Sequence, residues 1–438
     1  MGEIESSAAA TSIERDLPHC LYAATAASAV ATPPLATASR AAVVVVGAGY
    51  TGLSAALHLA ERGVEVVVLE QHEPGWGAAG RNGGQVNAGL KHEPDTIERD
   101  LGLEHGERLI RLASEAPNYL FRLIDRCGID CEAERGGTLR AAYHESQLGA
   151  LRESMSQWRA RGEALKFLGA TTTATMTGTD RYVDALLDPR GGSVNPLSLA
   201  RGLAAAAQRA GARIHGGTRA LAIDRVGAGW SVGTAFGAVS ADRVIIATDG
   251  YSGSLWPRLA QSVVPVYSAI AATEPLPAAM AAVVMPTRAV LYEVGAITAY
   301  YRRDTGGRLL MGGRGVQRAA PSLSDYAHLT RYAERLWPVL RGVTWTHWWN
   351  GQFALTPDFY PRLHAPAPGV FIAHGYSGRG IALATSVGRE LAALAAGAPL
   401  ADAALPVTPI RAIPLHRFWR VGVSTRVTVG RLRDRFGC

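Results

Sequence analysis

Between residues 42 and 70 the hydrophobic pattern changes period twice. Val43 to Val46 is apolar at every position, as a strand buried on both faces of a parallel sheet must be. Six residues follow, Gly47-Ala48-Gly49-Tyr50-Thr51-Gly52, and then a helical pattern runs through Leu53, Leu57, His58 and Arg62. Gly63 stops that helix, Val64 to Leu69 forms a second apolar run, and Glu70 stands at its end. The order is strand, glycine turn, helix, strand and acid, the arrangement of a dinucleotide-binding βαβ unit.

Each of these residues has a physical task in that reading. Gly47 permits the tight turn out of the strand, Gly49 lets a pyrophosphate approach the backbone, and Gly52 lets the helix pack on the strands. Free N–H groups and the helix dipole at Tyr50 and Thr51 attract phosphate charge. Glu70, 23 residues after Gly47, can accept hydrogen bonds from ribose hydroxyls.

Downstream, Gln71 to Gln85 carries too much glycine for regular helix or strand, and an ordered loop of this kind serves a ligand. Helical periodicity covers Pro94 to about Cys127 and again Glu145 to Leu168, with a strand around Thr138 to Tyr143 between them. A helix is predicted over Ser198 to Ala210, with Ser198 as its cap. Arg213 to Ile223, Gly229 to Thr234 and Arg243 to Thr248 read as a three-stranded antiparallel meander attached to the parallel sheet. Strands dominate from Val263 to Val343, including Ala289 to Val294, Ala299 to Arg303 and Arg308 to Gly312. Val370 to Ala373 is a strand, Gly375 to Gly380 a second glycine turn, and Ile381 to Ala395 a helix. Two strand–glycine turn–helix units in one chain suggest that both ends of one long cofactor are held, one by each helix start.

These elements predict an α/β fold with a Rossmann-like domain, its parallel sheet carrying a β-meander, and a discontinuous substrate domain built on an antiparallel sheet. The expected division is an arm over 1–40, a dinucleotide domain over 41–120, 188–262 and 350–405, a cap over 121–187 and 263–349, and a basic tail over 406–438. The Ala/Ser/Thr/Pro-rich arm reads as a surface or partly disordered segment.

Composition narrows the function classes. The 438 residues are 48% hydrophobic, enough for a sizeable core, and no apolar run is long enough to span a membrane. The start of the chain does not read as a secretory signal. Cys20, Cys127, Cys131 and Cys438 are scattered, which predicts a reducing, cytoplasmic setting without a disulfide framework. The formal charge is +7, but the basic residues are dispersed and almost all Arg, which argues against a nucleic-acid partner. The exception is Pro409 to Phe436, with seven arginines and one acid; it reads as a helix docked on the dinucleotide domain, with a membrane-surface role as the alternative.

The chain resembles the FAD-dependent amine and amino-acid oxidoreductases of the D-amino-acid oxidase superfamily. The resemblance rests on Tyr22 to Thr25, Gly47 to His58, Gly77 to Gln85, Asp180 to Tyr182 with Ala185 to Asp188, Gly192 to Leu199, Gly375 to Gly380 and Leu432 to Arg435. Within the superfamily the likeness leans towards the gamma-glutamylputrescine oxidases. It implies FAD as cofactor, with Glu70 on the ribose of the AMP half, the Gly80-Arg81-Asn82-Gly83-Gly84 loop lining the isoalloxazine, Ala220 touching the adenine through its backbone, and Gln71, Gly77 and Gln85 among the other cofactor-binding residues. Ala247 and Thr248 fall beside the cofactor, and Gly375, Gly378, Arg379, Gly380 and Ile381 direct a helix dipole at the flavin pyrimidine edge.

The implied reaction is hydride transfer from an amine or amino acid to flavin N5, giving an imine that hydrolyses, with oxygen or an electron carrier taking the electrons. A flavin-binding subunit without turnover of its own is the other reading. The implied partners are therefore a small-molecule substrate and an electron acceptor.

Candidate catalytic residues are fewer. Lys91 follows the flavin loop, and relatives use a basic group near the flavin to aid oxygen reduction. Arg314 could hold a substrate carboxylate or form a surface pair. Tyr300 and Tyr301 are adjacent on a strand, so one faces the pocket, and Tyr301 is taken as the candidate. Trp349, in Trp345 to Trp349, either walls the cavity or packs in the strand core. His374 reads as packed or tautomer-fixed. Ser193, Asn195 and Arg379 depart from the putrescine-type pattern, where histidine is common.

Overall fold

The computed structural model describes residue 17, residues 20–295 and residues 298–436. Residues 1–16 of the arm and Cys438 lie outside the described residues. The elements that position the site are β1 (Ser39–Val46), α1 (Tyr50–Ala60), β2 (Val66–Leu69), α2 (Leu103–Cys127), β3 (Arg213–His215), β4 (Gly237–Ile246), β5 (Val370–His374) and α3 (Gly380–Ala395).

The five strands lie in the order β5-β4-β1-β2-β3, all parallel, with Arg362–Ala367 antiparallel to β5 at one edge. Val43, Val44, Val45 and Val46 are each at most 4% exposed, because both faces of β1 are covered. Val43 and Val45 belong to the core shared with the helices, and Val44 and Val46 to the core on the opposite face. That opposite core is closed by the hairpin Ala222–Val226 and Gly229–Thr234, which pairs antiparallel with the first half of β4. The α/β architecture with an attached meander is therefore observed.

Glycines set how closely the layers approach. A Cβ on Gly52 would lie 1.9 Å from the Gly47 carbonyl oxygen, so only glycine lets α1 start against β1. A Cβ on Gly388 of α3 would lie 2.4 Å from the Thr51 carbonyl oxygen, and α1 and α3 pack through this small-residue seam. Ser54 donates its hydroxyl to the Thr385 carbonyl at 2.7 Å across it.

The second sheet has eight strands, in the order Trp345–Leu355, Val264–Thr273, Leu309–Arg314, Tyr300–Arg303, Val290–Glu293, Thr138–Ala142, Asp184–Asp188 and Lys166–Gly169. Its pairs are antiparallel except Val290–Glu293 with Thr138–Ala142, which is parallel. The strand Trp345–Leu355 runs on past residue 350 as part of this sheet.

Several local expectations are corrected. The helix expected over Pro94 to Cys127 is two, Pro94–Leu101 and α2, broken at Gly102 with φ of 79°. The helix expected over Glu145 to Leu168 ends at Ala160; Gly162 turns the chain and Lys166–Gly169 becomes an edge strand. The cap of Pro196–Arg209 is Asn195, whose side chain accepts the Ser198 N–H, with Pro196 pre-set in the first turn. The expected first meander strand is divided: Arg213–His215 pairs parallel to β2, and after Gly216-Gly217 only Ala222–Val226 joins the meander. The third meander strand begins at Gly237 and continues as a central parallel strand. From Cys20 the arm is not on the surface: Cys20, Leu21 and Tyr22 are buried against Leu197, Ile270 and Trp349. The tail helix Trp419–Phe436 rests on the body along one side only, with Trp419, Val423 and Val427 half-buried and Gly430 buried. Cys20, Cys127 and Cys131 are free thiols.

Gly52→Ala is expected to destabilise the protein by roughly 3 kcal/mol, the upper range for forcing extra atoms into a packed layer. A urea unfolding midpoint unchanged from the parent would show that the approach of α1 to β1 is not tight.

Candidate active site

A cavity of about 660 Å³ runs from the C-terminal ends of β1, β2 and β4 to the cavity-facing side of the second sheet. It falls within the volume range of ligand sites. Both glycine turns open onto it. A Cβ on Gly49 would meet only the Ala79 Cβ, at 3.9 Å, and one on Gly378 would meet nothing within 4 Å, so at these two points bare backbone faces free space. Gly47 is different: with φ of 102° and the Ala247 carbonyl oxygen 2.8 Å from where its Cβ would be, it is a turn residue. The starts of α1 and α3 thus point free N–H groups into one cavity. Thr51 and Tyr376, one from each turn, share a hydroxyl hydrogen bond of 2.7 Å.

At the β2 end, Glu70 accepts the Ala48 N–H at 2.7 Å and the His72 N–H at 2.9 Å. Burial raises its pKa, opposed by these backbone donors. Gln71, Ala220, Ala247 and Thr248 line the same end.

The loop after β2 forms the middle wall. His72 stacks on Trp76 at 3.7 Å between ring centroids, and the Arg81 guanidinium lies 3.9 Å over the Trp76 ring. Asn82 braces the turn by donating to the Ala79 carbonyl at 2.8 Å and accepting the Gly84 N–H at 2.9 Å. Gln85 donates to the Leu291 carbonyl at 2.9 Å, tying the loop to the second sheet. Gly77, Arg81, Asn82, Gly83 and Gln85 face the cavity. Gly84, with φ of 68°, lies behind it, where a Cβ would strike the Val194 carbonyl oxygen at 2.4 Å.

Asp249, Arg302 and Ser268 carry parts of this geometry that the sequence did not point to. Asp249 is held at φ of 43° after β4 and accepts the Gly375 N–H at 2.9 Å and the Ala354 N–H at 3.0 Å. It therefore fixes the second glycine turn to the first sheet, and Gly375 serves as its anchor instead of as cavity lining. Arg302 donates to the Gly83 carbonyl at 2.8 Å and the Val194 carbonyl at 3.1 Å. The Asp249-Gly250 pair after a strand was a visible turn signal; Arg302 gave none.

The second sheet supplies the far wall. Cross-strand pairing puts Trp349, Ile270, Gly312, Tyr300 and Tyr292 in one row. Tyr300, not Tyr301, faces the cavity: its ring lies over Gly83 and Gly312 and its hydroxyl bonds Ser268 at 2.9 Å. Tyr301 points to the opposite face, fully buried, with its hydroxyl on Tyr182 in a cluster with Glu293 and Tyr332. Trp349 has the cavity-side orientation, but the loop covers it; its indole N–H donates to the Arg81 carbonyl at 2.9 Å and its ring meets Tyr22 edge-on. It supports the loop from behind. His374 is buried, with its ring nitrogen 3.0 Å from that of His364, and burial pushes it down to about 3, so it is neutral.

Acid in the cavity lining is confined to one end, whereas arginines line it elsewhere too, Arg219 and Arg81 among them. Its lining carboxylates among the described residues are Glu70 and Asp249, both held by backbone N–H groups at the first sheet. The second-sheet end holds Arg314, Arg379 and Lys91. Arg379 donates to the Tyr292 hydroxyl at 2.8 Å and the Ala88 carbonyl at 3.1 Å. Arg314 stacks over Phe353 at 5.3 Å without a carboxylate partner among the described residues, and burial lowers its pKa. Lys91 is solvent-exposed at the rim, yet the protein mass around its ammonium and then the charges of Arg379, Arg314 and Arg140 lower its pKa to about 7.

Residues 42–394 match the FAD dependent oxidoreductase (DAO) family. The chain belongs to that family. The oxidoreductase is 35% identical over 399 residues to the gamma-glutamylputrescine oxidoreductase of Escherichia coli (strain K12), covering 90% of this chain and 93% of that protein. It is 33% identical over 418 residues to a probable oxidoreductase, OrdL, of Rhizobium meliloti (strain 1021), covering 95% and 97%. The crystal structure of glycine oxidase from Geobacillus kaustophilus superposes with a TM-score of 0.71 at 24% identity, over 86% of this chain and 99% of that one. The cofactor is FAD, and the cavity fits it. Open space at Gly49 and Gly378 admits phosphate and ring atoms, the Glu70 carboxylate is placed for ribose hydroxyls, and two helix starts suit the ends of one elongated anionic molecule. No helix among the described residues is long and apolar enough to cross a membrane.

Gly49→Leu is expected to yield a folded but colourless FAD dependent oxidoreductase, because its side chain would fill space that no protein atom occupies. Circular dichroism and visible absorbance of the purified variant decide this; a yellow variant with a normal flavin spectrum would refute the placement of the pyrophosphate.

Proposed function

We propose that this oxidoreductase oxidises the C–N bond of a small amine or amino acid that carries a carboxylate, with gamma-glutamylputrescine as the leading candidate. The observation that carries this reading is the lack of lining acid at the second-sheet end: there Arg314 has no carboxylate partner among the described residues, and Lys91 and Arg379 stand near it. A buried guanidinium is stable when it meets an anion, and a substrate carboxylate supplies one. The similarity to a gamma-glutamylputrescine oxidoreductase supports the same substrate class, since that substrate joins an amine to a glutamyl carboxylate.

Bound along the two glycine turns, FAD would supply the two-electron acceptor for the substrate's C–H hydride. The residues of the chain do the rest. Arg314 anchors the carboxylate, and Tyr300, fixed by Ser268, forms the apolar wall that orients the carbon to be oxidised. The amine reacts in its neutral form, and the neighbouring cations Lys91, Arg314 and Arg379 disfavour its protonation. The N–H groups at the start of α3 and the Arg379 charge stabilise negative charge that builds at that end. Lys91 is proposed to assist oxygen reduction through its cationic form. Glu70 would hold the ribose and Ala220 would lie at the adenine, and Gly77, Arg81, Asn82 and Gln85, which line the cavity, would border the ring system.

The decisive test is an anaerobic visible-absorbance titration with gamma-glutamylputrescine and a panel of amines and amino acids, followed by air. Bleaching by carboxylate-bearing amines and recovery with peroxide are expected. Slow recovery in air would assign an electron carrier as acceptor, and a yellow protein that no amine bleaches would favour a subunit role.

Arg314→Met is expected to raise KM for the carboxylate-bearing substrate about a hundredfold, corresponding to loss of roughly 3 kcal/mol from one charge-assisted pair, while KM for a plain monoamine changes little. Equal effects on both substrates would sink the anchor assignment. Because Lys91 has a pKa lowered to about 7, it is cationic below that pH and neutral above it. Reoxidation by oxygen should therefore slow as pH rises through about 7, and Lys91→Met should remove that dependence, being slower than the parent at pH about 6 and equal to it above pH about 8. A pH profile unaltered by the substitution would exclude this role.

A further inference from the structure

We propose that the turn and helix at the C-terminal end, Leu415 onward through Trp419–Phe436, are a peripheral docking element for an anionic phospholipid surface. The helix has two unlike sides. One rests on the body through Trp419, Val423 and Val427, while His416 reaches the Val263 carbonyl at 2.8 Å. The other side and the preceding turn leave Leu415, Phe418, Val421 and Val429 exposed at 73%, 51%, 65% and 44%.

Exposed apolar side chains scattered singly need no partner, but these four fall within 15 consecutive residues (415 to 429) on the outward side of one element. Arginines 417 and 420 alternate with them, and the chain from 403 to 433 contains no Asp or Glu. Apolar side chains flanked by arginine and free of acid match an interface in which hydrocarbon lies beneath negative headgroups. A nucleic acid would use the arginines and leave the aliphatic side chains in water; a second copy of this basic helix would be repelled by its own charge.

The placement gives docking a consequence for the cavity. The Arg426 guanidinium lies 5.1 Å over the Phe359 ring, Phe359 meets His92 edge-on, and His92 is next to Lys91 at the cavity rim. Arg426 is close enough to help lower the pKa of Arg314. A bilayer held by this helix would lie beside the second-sheet end of the cavity, where substrate and electron acceptor enter. This inference does not rest on the substrate class proposed above.

Flotation of the full-length, FAD-loaded protein with vesicles tests it. Binding is expected to vesicles of phosphatidylglycerol mixed with phosphatidylcholine, to fall with added salt, and to be absent from pure phosphatidylcholine. Arg417→Glu with Arg420→Glu, and separately Val421→Asp, should each reduce the floated fraction about tenfold with the flavin spectrum unchanged. All of these side chains are solvent-facing, so the variants are expected to fold. The proposal is overturned if the parent does not float, if neutral and anionic vesicles bind equally, or if both variants float like the parent. It is equally overturned if Val421→Asp only abolishes a doubling of mass seen without lipid, which would make a second copy the occupant.

Discussion

The close approach of two helix starts governs the rest of this molecule. α1 and α3 are more than 300 residues apart in the chain, yet Gly388 brings α3 against the Thr51 carbonyl, and Thr51 bonds Tyr376 of the other glycine turn. Helices that meet backbone to backbone can do so only where side chains are absent or small, and Ser54, Ala55 and Gly388 meet that condition. The reward is electrostatic. Two sets of unpaired N–H groups converge on one cavity, and neither helix alone could hold both ends of a molecule as long as FAD. Asp249 locks the arrangement by tying the second turn to the end of β4, which is itself paired between β1 and β5.

From that fixed cradle the loop 71–85 is shaped from outside. Left to itself, a loop so rich in glycine would be costly to order. Arg302, Gln85, Trp349 and Asn82 hold its carbonyls and N–H groups from the second sheet, the arm side and within. Tyr22 packs on Trp349, so the segment from Cys20 contributes to the site through two layers of support instead of hanging at the surface. The second sheet therefore does more than cover the cofactor; its register decides the loop's conformation.

This explains which features were legible in the sequence. The βαβ unit was readable because its constraints are local: a strand buried on two faces, glycines where a Cβ would strike backbone, and an acid a fixed distance on. The second glycine turn was readable for the same reason. Tyr300 and Tyr301 were not separable, because alternation says that one of them faces the cavity and only pairing with Gly312 and Met311 says which. Tyr301 instead closes a buried phenol–carboxylate cluster with Tyr182, Tyr332 and Glu293, whose members come from four places in the chain. Trp349 faced the right way and was hidden by a loop 268 residues earlier. The helix expected to reach Leu168 failed at Gly162, where turn geometry outweighed a continuing apolar period.

The distribution of charge links the parts into one argument about chemistry. At the first sheet the carboxylates of Glu70 and Asp249 accept backbone N–H groups and so shape the turns there, and neither reaches the far end of the cavity. At the second-sheet end Arg314, Arg379 and Lys91 are brought together with no lining acid among them, and the pKa of Lys91 is lowered first by desolvation and then by the neighbouring arginines. Maintaining like charges in a walled space is unfavourable unless an anion completes it. The phosphates of the cofactor would be drawn to the start of α1 beside Gly49, at the first-sheet end, which leaves Arg314 to another anion. The deficit is therefore local to the place where substrate enters. For the substrate proposed above, a carboxylate would offset part of that positive charge, which a polyamine without one would not.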